Sequence, residues 1–119
     1  MLIKIKLKRI YEKPEPTDGI RILIDRLWPR GISKKEALLD YWLKEIGPSN
    51  ELRKWFKHDK NKFEAFKEKY KKELETGNQY EAYKRLNNII ANANSDITLL
   101  YAAKDEKNNH AQVMKQLLE

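Results

Sequence analysis

The residues best suited to ligand chemistry lie together in the segment Asp25–Gly31, which reads DRLWPRG. This segment directly follows the apolar run Ile22–Ile24, and it combines one acid, two arginines and a tryptophan. Pro29 restricts the backbone and Gly31 permits a turn, which is typical of a loop. Because loops on rigid elements concentrate functional residues, the pattern predicts a ligand-facing loop at the end of a buried strand.

Arginine is the uncommon cation of this chain, since only six of its 25 Lys+Arg residues are arginines. A guanidinium group holds carboxylate or phosphate through two parallel hydrogen bonds. Arg26 and Arg30 are therefore candidate anion-binding residues, and Arg53 is a third candidate in a segment rich in capping residues. Trp28 would wall the pocket or stack on a flat ligand. The alternative for each arginine is a structural salt bridge or stacking on Trp28.

A second polar segment, Lys104–His110, follows the apolar run Ile97–Tyr101 and leads into the last predicted helix. Lys104 would add positive charge to a site there. The free N–H groups at the start of the helix would also favour an anion. Tyr101, at the end of the apolar run, would either contact the ligand or complete the core.

Three residues of these two segments could move protons. His110, near the predicted helix start, can serve as a general base or a hydrogen-bond donor when its imidazole is neutral. Asp25 and Asp105 could act as bases, bind a hydroxyl group or hold the arginines in place. The alternative for His110 is a residue that caps or packs at the helix start.

His58 is a further candidate ligand contact, because the adjacent Asp59 could orient its imidazole. The favoured alternative is structural, with His58 as a helix-end cation and Asp59 as the cap of the next helix. Two histidines far apart in the chain and scattered carboxylates match no metal-binding spacing, so the sequence predicts no metal site and no cofactor. It also contains no Gly-rich phosphate loop and no nucleophile elbow.

Hydrophobic patterning predicts the elements that must position these residues. Alternating apolar and basic residues over 2–9 predict a strand with one buried face, and apolar runs at 20–25 and 97–101 predict buried strands. Amphipathic helices lie between them, while residues 38–46 fit either a helix or a short strand. Strands joined through helices imply a parallel sheet with right-handed crossovers. We therefore predict one α/β domain over residues 1–119, with three layers and a mainly parallel sheet flanked by helices.

In open α/β sheets, ligands bind beyond the carboxyl ends of the strands. This rule brings segments 25–31 and 104–110 together, and it predicts a site for a small phosphate- or carboxylate-bearing molecule, with or without catalysis. The first alternative is a protein-interaction module without chemistry. The second is a nucleic-acid-binding accessory protein, because the formal net charge is +7. It is less favoured, because no nucleic-acid motif is present and Glu64 and Glu68 interrupt the lysines of residues 57–72.

Composition also bears on the cellular setting. No apolar run approaches the roughly 20 residues that span a bilayer. The absence of cysteine excludes disulfides and thiol chemistry. These features predict a cytoplasmic protein without a membrane partner, and they leave its oligomeric state open.

Three segments combine order and spacing in a recognisable way. They are Arg21–Gly31, Trp42–Asp59 and Thr98–Asp105 with Asn109–Ala111. Together they resemble the YeaO-like branch of the bacterial and archaeal domain-of-unknown-function 488 family. The family pattern usually has Gly where this chain has Lys57, and more often Ala where it has Gly47. The resemblance implies a compact cytoplasmic α/β protein and implies no particular activity, substrate or cofactor.

Overall fold

A computed structural model describes residues 3–119, and its centre is a four-stranded parallel sheet. The strands are β1 (Ile5–Arg9), β2 (Ile20–Leu23), β3 (Tyr41–Trp42) and β4 (Ile97–Tyr101). Their order across the sheet is β1-β4-β2-β3, and every neighbouring pair is parallel. The predicted α/β fold with a parallel sheet is therefore confirmed. The predicted start of the first strand at Leu2 lies outside the described residues.

Five α-helices accompany the sheet. They are α1 (Lys34–Ala37), α2 (Asn50–Phe56), α3 (Phe63–Glu73), α4 (Gly77–Ala91) and α5 (His110–Leu118). The Ser33 hydroxyl accepts a hydrogen bond from the Glu36 N–H and completes the predicted capping box. Ser49 caps α2 in the same way, as the sequence predicts. The ambiguous residues 38–46 form the short strand β3 and a 3₁₀ turn.

The two faces of the sheet are covered unequally. Alternate residues of a strand point to opposite faces, so Ile22 and Leu99 pack in the large core beneath α2–α5. Leu23 and Leu100 point to the second face, where a smaller core is completed by the loop that carries Trp28. The layer over the second face is therefore thin, because it consists of α1 and the loops around it.

A buried cluster of charges secures the amino ends of the strands. The Asp18 carboxylate lies 2.6 Å from Arg21 Nη1 and 3.0 Å from Lys8 Nζ. Only 6% of the side-chain surface of Asp18 and of Arg21 is exposed. Burial raises the pKa of Asp18, but hydrogen bonds from the Glu15 N–H, Lys8 and Arg21 outweigh burial and hold that pKa below its ordinary value. No pattern in the sequence predicted this cluster.

Replacing Asp18 with Asn should lower the free energy of unfolding at pH 7 by about 3–5 kcal/mol, because the buried Arg21 loses its counter-charge and Lys8 keeps only Glu15. A depressed carboxylate pKa stabilises the fold above its unfolded pKa, and this contribution is lost as pH falls through the folded pKa. The difference between the wild type and the variant should therefore shrink below about pH 4. Urea unfolding at several pH values measures both effects, with Glu15→Gln as the exposed control. Equal stability of Asp18→Asn and wild type at pH 7 would contradict the role of the cluster.

Candidate functional site

Asp25 joins the carboxyl ends of the two central strands. It lies just beyond β2, and its Oδ2 accepts a hydrogen bond from the Ala102 N–H, 3.0 Å away and just beyond β4. The Asp25 carbonyl accepts a second bond, 2.7 Å long, from the indole N–H of Trp42 at the end of β3. One residue thus connects three strand ends, which gives this acid a structural function whatever its chemistry.

The imidazole of His110 lies against Asp25. Its Nε2 is 3.0 Å from Asp25 Oδ1 and 3.1 Å from the Ile24 carbonyl oxygen. Both neighbours are acceptors, so Nε2 carries a proton. The Nε2 hydrogen bond is directed at the Ile24 carbonyl. Among the residues that the structure describes, no donor is aligned with the buried Asp25 Oδ1. The structure therefore brings together two predicted site residues that are distant in sequence, and Nδ1 is the ring nitrogen left over for a further partner.

Tyr70 packs edge-on against the His110 ring, with 6.1 Å between the ring centroids. Its hydroxyl is fully buried and donates to the Ile46 carbonyl at 2.5 Å. Burial, together with the nearby charges of Glu73 and Asp25, raises the pKa of Tyr70, so the phenol stays protonated. The pair is thus enclosed by core residues, and only 13% of the His110 side chain is exposed.

Arg26 points away from this pair and clamps the backbone before α2. Its Nε donates to the Pro48 carbonyl at 2.9 Å, and its Nη2 donates to the Gly47 carbonyl at 2.8 Å. The two backbones also approach closely, since a Cβ added at Gly47 would lie 2.8 Å from the backbone nitrogen of Arg26. Nη1 is 3.9 Å from Glu45. The donors predicted to hold an anion are therefore directed largely to the protein's own carbonyls.

Glu73 provides an internal anion between the amino ends of α2 and α4. Its Oε1 accepts from the Ser49 N–H at 2.9 Å and from Gln79 Nε2 at 2.9 Å. Its Oε2 accepts from the Ser49 hydroxyl at 2.5 Å. Helix amino ends attract negative charge, and here a side-chain carboxylate supplies it.

Two neighbouring clefts lie between α4 and the segment that follows β3. The larger, about 480 Å³, is lined by Trp42, Leu43, Lys44, Glu45, Asn78, Glu81, Ala82 and Arg85. The smaller, about 390 Å³, is lined by Arg26, Glu45, Ser49, Asn50, Glu51, Thr76, Gly77, Asn78 and Gln79. The larger cleft is at the carboxyl end of β3, at the edge of the sheet, and neither cleft is lined by Asp25 or His110.

Two cations of the larger cleft have no acidic partner. Lys44 Nζ lies 5.7 Å from the centroid of the Trp42 ring, and Arg85 Cζ lies 5.7 Å from the centroid of the Tyr41 ring. Within residues 3–119, neither cation has a carboxylate within 4 Å. Both cations therefore differ from Arg26, whose guanidinium donates to backbone carbonyls and lies near Glu45.

The acids of the larger cleft have cations of their own. Glu45 lies 3.9 Å from Arg26, and Glu81 lies 3.3 Å from Lys84. The lining therefore carries two positive and two negative side chains, and among the described residues Lys44 and Arg85 are the charges of this cleft without a paired partner. The sequence analysis missed both, although the scarcity of arginine that singled out Arg26 applied equally to Arg85.

Trp28 and Tyr101 both contribute to the core. Trp28 packs edge-on against Trp42, 5.2 Å between centroids, and donates from its indole N–H to the Ile32 carbonyl at 2.8 Å. Tyr101 is 3% exposed, and burial raises its pKa. Burial of Tyr101 agrees with the alternative that it completes the core, and the indole N–H of Trp28 is used by the protein's own backbone.

The two exposed cations predicted for the site, Arg30 and Lys104, lie on the surface. The Arg30 carbonyl accepts a hydrogen bond from the Tyr11 hydroxyl at 2.8 Å. Asp105 accepts from the N–H groups of Lys107 and Asn108 and thereby closes the turn before α5. Hydrogen bonds from Asn108 and Lys107 hold the pKa of Asp105 below its ordinary value.

Arg53 and His58 belong to the end of α2. Arg53 is half-buried within the helix, and His58 is exposed beyond it. The ring of His58 tilts against Phe56, with 6.1 Å between centroids. Lys57 and His58 both have left-handed backbones, with φ of 49° and 56°. Such values are strained for residues with a side chain, so this helix end carries local strain.

Within residues 3–119, no group of three or more His, Asp or Glu residues is placed to hold a metal ion. In the same part of the chain, no helix combines the length and apolarity needed to cross a membrane.

The fold and the site define a small parallel α/β protein whose strand ends are joined by its own polar side chains. The chain belongs to the domain-of-unknown-function 488 family, in its YeaO-like branch. Residues 4–119 match the family model described as the inactive DUF488-N3 subclade. The resemblance inferred from the sequence is thereby confirmed.

Two curated relatives illustrate the similarity. The chain is 46% identical over 116 residues to the uncharacterized protein YeaO of Escherichia coli, covering 98% of this chain and 97% of that protein. It is 34% identical over 115 residues to the uncharacterized protein Rv3073c of Mycobacterium tuberculosis, covering 97% of this chain and 93% of that protein. No solved structure matches the chain.

Replacing Arg26 with Lys should lower the free energy of unfolding by about 1.5–3 kcal/mol, because an ammonium group can replace only one of two aligned charged hydrogen bonds. The urea midpoint measures the loss. Arg30→Lys is the matched control, and it should change stability by no more than about 0.5 kcal/mol at its exposed position. A variant Arg26→Lys as stable as the wild type would show that the clamp contributes nothing.

Replacing Lys57 with Gly should raise the free energy of unfolding by about 0.5–1 kcal/mol, because glycine adopts the left-handed backbone without steric cost. Lys57→Ala is the control, since alanine keeps the steric cost and should leave stability near the wild-type value. Thermal unfolding of the three proteins compares them. If alanine stabilises as much as glycine, removal of the lysine charge is the cause and backbone strain is not.

Proposed function

We propose that the protein binds a small phosphate- or carboxylate-bearing molecule in the larger cleft, at the carboxyl end of β3, without converting it. The observation that carries the proposal is the pair Lys44 and Arg85. Both line the cleft, and neither has an acidic partner in the described part of the chain. An anion in the cleft would give these two cations the acidic partner that they lack.

The chemistry of the two cations suits such a ligand. The Arg85 guanidinium lies near the Tyr41 ring, which limits its freedom and reduces the entropy lost on binding. Its planar donors match a carboxylate or phosphate, and Lys44 adds a compact point charge. A cleft of about 480 Å³ is in the size range of small-molecule sites.

Two observations favour binding without turnover. The family model that matches the chain is described as an inactive subclade. The Asp25 and His110 pair, which is the best candidate for proton transfer, lines neither of the two clefts. A ligand held by Lys44 and Arg85 would therefore lie in a different cleft from a general base.

Catalysis by His110 is the second candidate function. The contacts of Nε2 with Asp25 Oδ1 and with the Ile24 carbonyl favour it, because they fix the orientation of the imidazole. They leave Nδ1 as the ring nitrogen that a substrate could meet. A neutral histidine oriented by a carboxylate is a common general base. This function would require a ligand that reaches the strand ends of β2 and β4.

Calorimetric titration with inorganic phosphate, citrate and adenosine monophosphate tests the proposal. At least one of these anions should bind and raise the melting temperature. Arg85→Ala should then weaken the Kd about tenfold or more, since a charged hydrogen bond contributes about 1.5–3 kcal/mol. Lys44→Ala should weaken the same Kd.

Arg30→Ala and Lys104→Ala provide matched controls, because both remove an exposed cation outside the cleft. Unchanged binding in Arg85→Ala and Lys44→Ala, or absence of binding to all three anions, would reject the cleft as an anion site. Nuclear magnetic resonance of the bound anion separates the two functions. Conversion that disappears in His110→Gln would establish the catalytic candidate in place of binding alone.

A further inference from the structure

The helix pair α2–α3 carries most of the chain's excess positive charge. Residues 50–73 contain nine Lys or Arg and five Asp or Glu, so they supply +4 of the formal net charge of +7. A basic region concentrated on one part of the surface is the electrostatic signature of a protein that binds a polyanion.

Two acids of this segment accept hydrogen bonds within the protein and do not pair with lysines on its outer surface. Glu73 accepts hydrogen bonds from Ser49. Asp59 accepts one from the Asn61 N–H, 2.9 Å away, and caps the short turn before α3. Neither carboxylate therefore compensates the lysines on the outer face.

Two further acids each pair with a single lysine of the same helix. Glu64 lies 3.5 Å from Lys67, and Glu68 lies 3.7 Å from Lys71. Exposed pairs of this kind are weak and do not neutralise lysines elsewhere on the helix. Glu64 and Glu68 therefore do not neutralise the outer face of the helix pair α2–α3.

Two of the remaining lysines lie against Trp55, which is 38% exposed. The Nζ atoms of Lys62 and Lys69 lie 5.1 Å and 5.0 Å from the centroid of its ring. Lys54 precedes Trp55 in α2, and Lys72 follows Lys69 by one helical turn. We call these five residues the Trp55 surface.

The lysines of the Trp55 surface have no acidic partners. Among the residues the structure describes, Lys54, Lys69 and Lys72 have no carboxylate within 4 Å, and Lys62 donates to the Trp55 carbonyl. An indole ring holds ammonium groups over its face through cation–π attraction. The tryptophan therefore keeps two positive charges at fixed places on the surface.

We propose that the Trp55 surface binds the phosphate backbone of a nucleic acid, without reading its bases. Lysines contact phosphate as point charges and carry no sequence information. An anionic membrane is the less suitable partner, because binding in the lipid interface needs an apolar helix face. Trp55 is the one large exposed hydrophobic residue of α2–α3. The proposal involves none of the residues of the anion cleft, so it stands independently of the proposed function.

Fluorescence anisotropy with a labelled oligonucleotide, single-stranded and as a duplex, tests the inference in about 50 mM salt, where phosphate contacts are strongest. The triple variant Lys54→Glu, Lys69→Glu, Lys72→Glu should lose about tenfold or more in affinity, and its dependence of log K on log salt should be less steep by about 2–3. The control is Lys13→Glu, Lys34→Glu, Lys35→Glu, which changes net charge equally at exposed positions elsewhere. It should retain most of the affinity and the original salt slope.

Three results would overturn the inference. The first is no binding of either oligonucleotide by the wild type. The second is an equal loss in both triple variants, which would indicate a response to net charge alone. The third is binding to phosphatidylserine vesicles, measured by co-sedimentation, without binding to nucleic acid. Arg85→Ala should leave oligonucleotide binding unchanged, which separates this surface from the cleft.

Discussion

Every backbone polar group buried at the carboxyl ends of the strands must find a hydrogen-bond partner, and this constraint organises the molecule. Parallel strands end together at one edge of the sheet, where the chain leaves the regular ladder and its N–H and C=O groups lose their partners. Side chains supply the missing bonds. Asp25 accepts from the Ala102 N–H, and the Arg9 guanidinium donates to the carbonyls of Ala102 and Ala103. Trp42 completes the set by donating to the Asp25 carbonyl.

The same requirement explains why polar residues of the DRLWPRG segment serve structure. Arg26 uses the planar geometry that suits it to anions to hold two adjacent carbonyls before α2. A buried carbonyl without a partner costs about as much free energy as a lost hydrogen bond. A polar side chain at a strand end therefore stabilises the fold whether or not a ligand is present. His110 extends the network, because its Nε2 lies between Ile24 and Asp25.

Several cations that make no hydrogen bonds to buried backbone carbonyls lie on the surface of the protein. Lys44 and Arg85 lie in a cleft at the edge of the sheet, and the lysines around Trp55 lie on the outer face of α2–α3. In each place an aromatic ring lies beneath a cation, while acids of the region pair elsewhere. Part of the positive charge that the fold does not use internally thus lies on two separate surfaces, one concave and one helical, which we propose to bind anions of different size.

The sequence by itself determined the buried strands and the helix caps, because these depend on local periodicity and on residues a few positions apart. The alternation of strands with helices then indicated a parallel sheet, because parallel strands need crossover connections. The sequence also located the turn after β2, through Pro29 and Gly31. Only the tertiary structure decided which polar groups remain available to a ligand. The partners of Arg26 are Gly47 and Pro48, and the partner of Asp25 is Ala102. These contacts join distant parts of the chain through backbone atoms, which every residue carries, so no residue type in the sequence marks them.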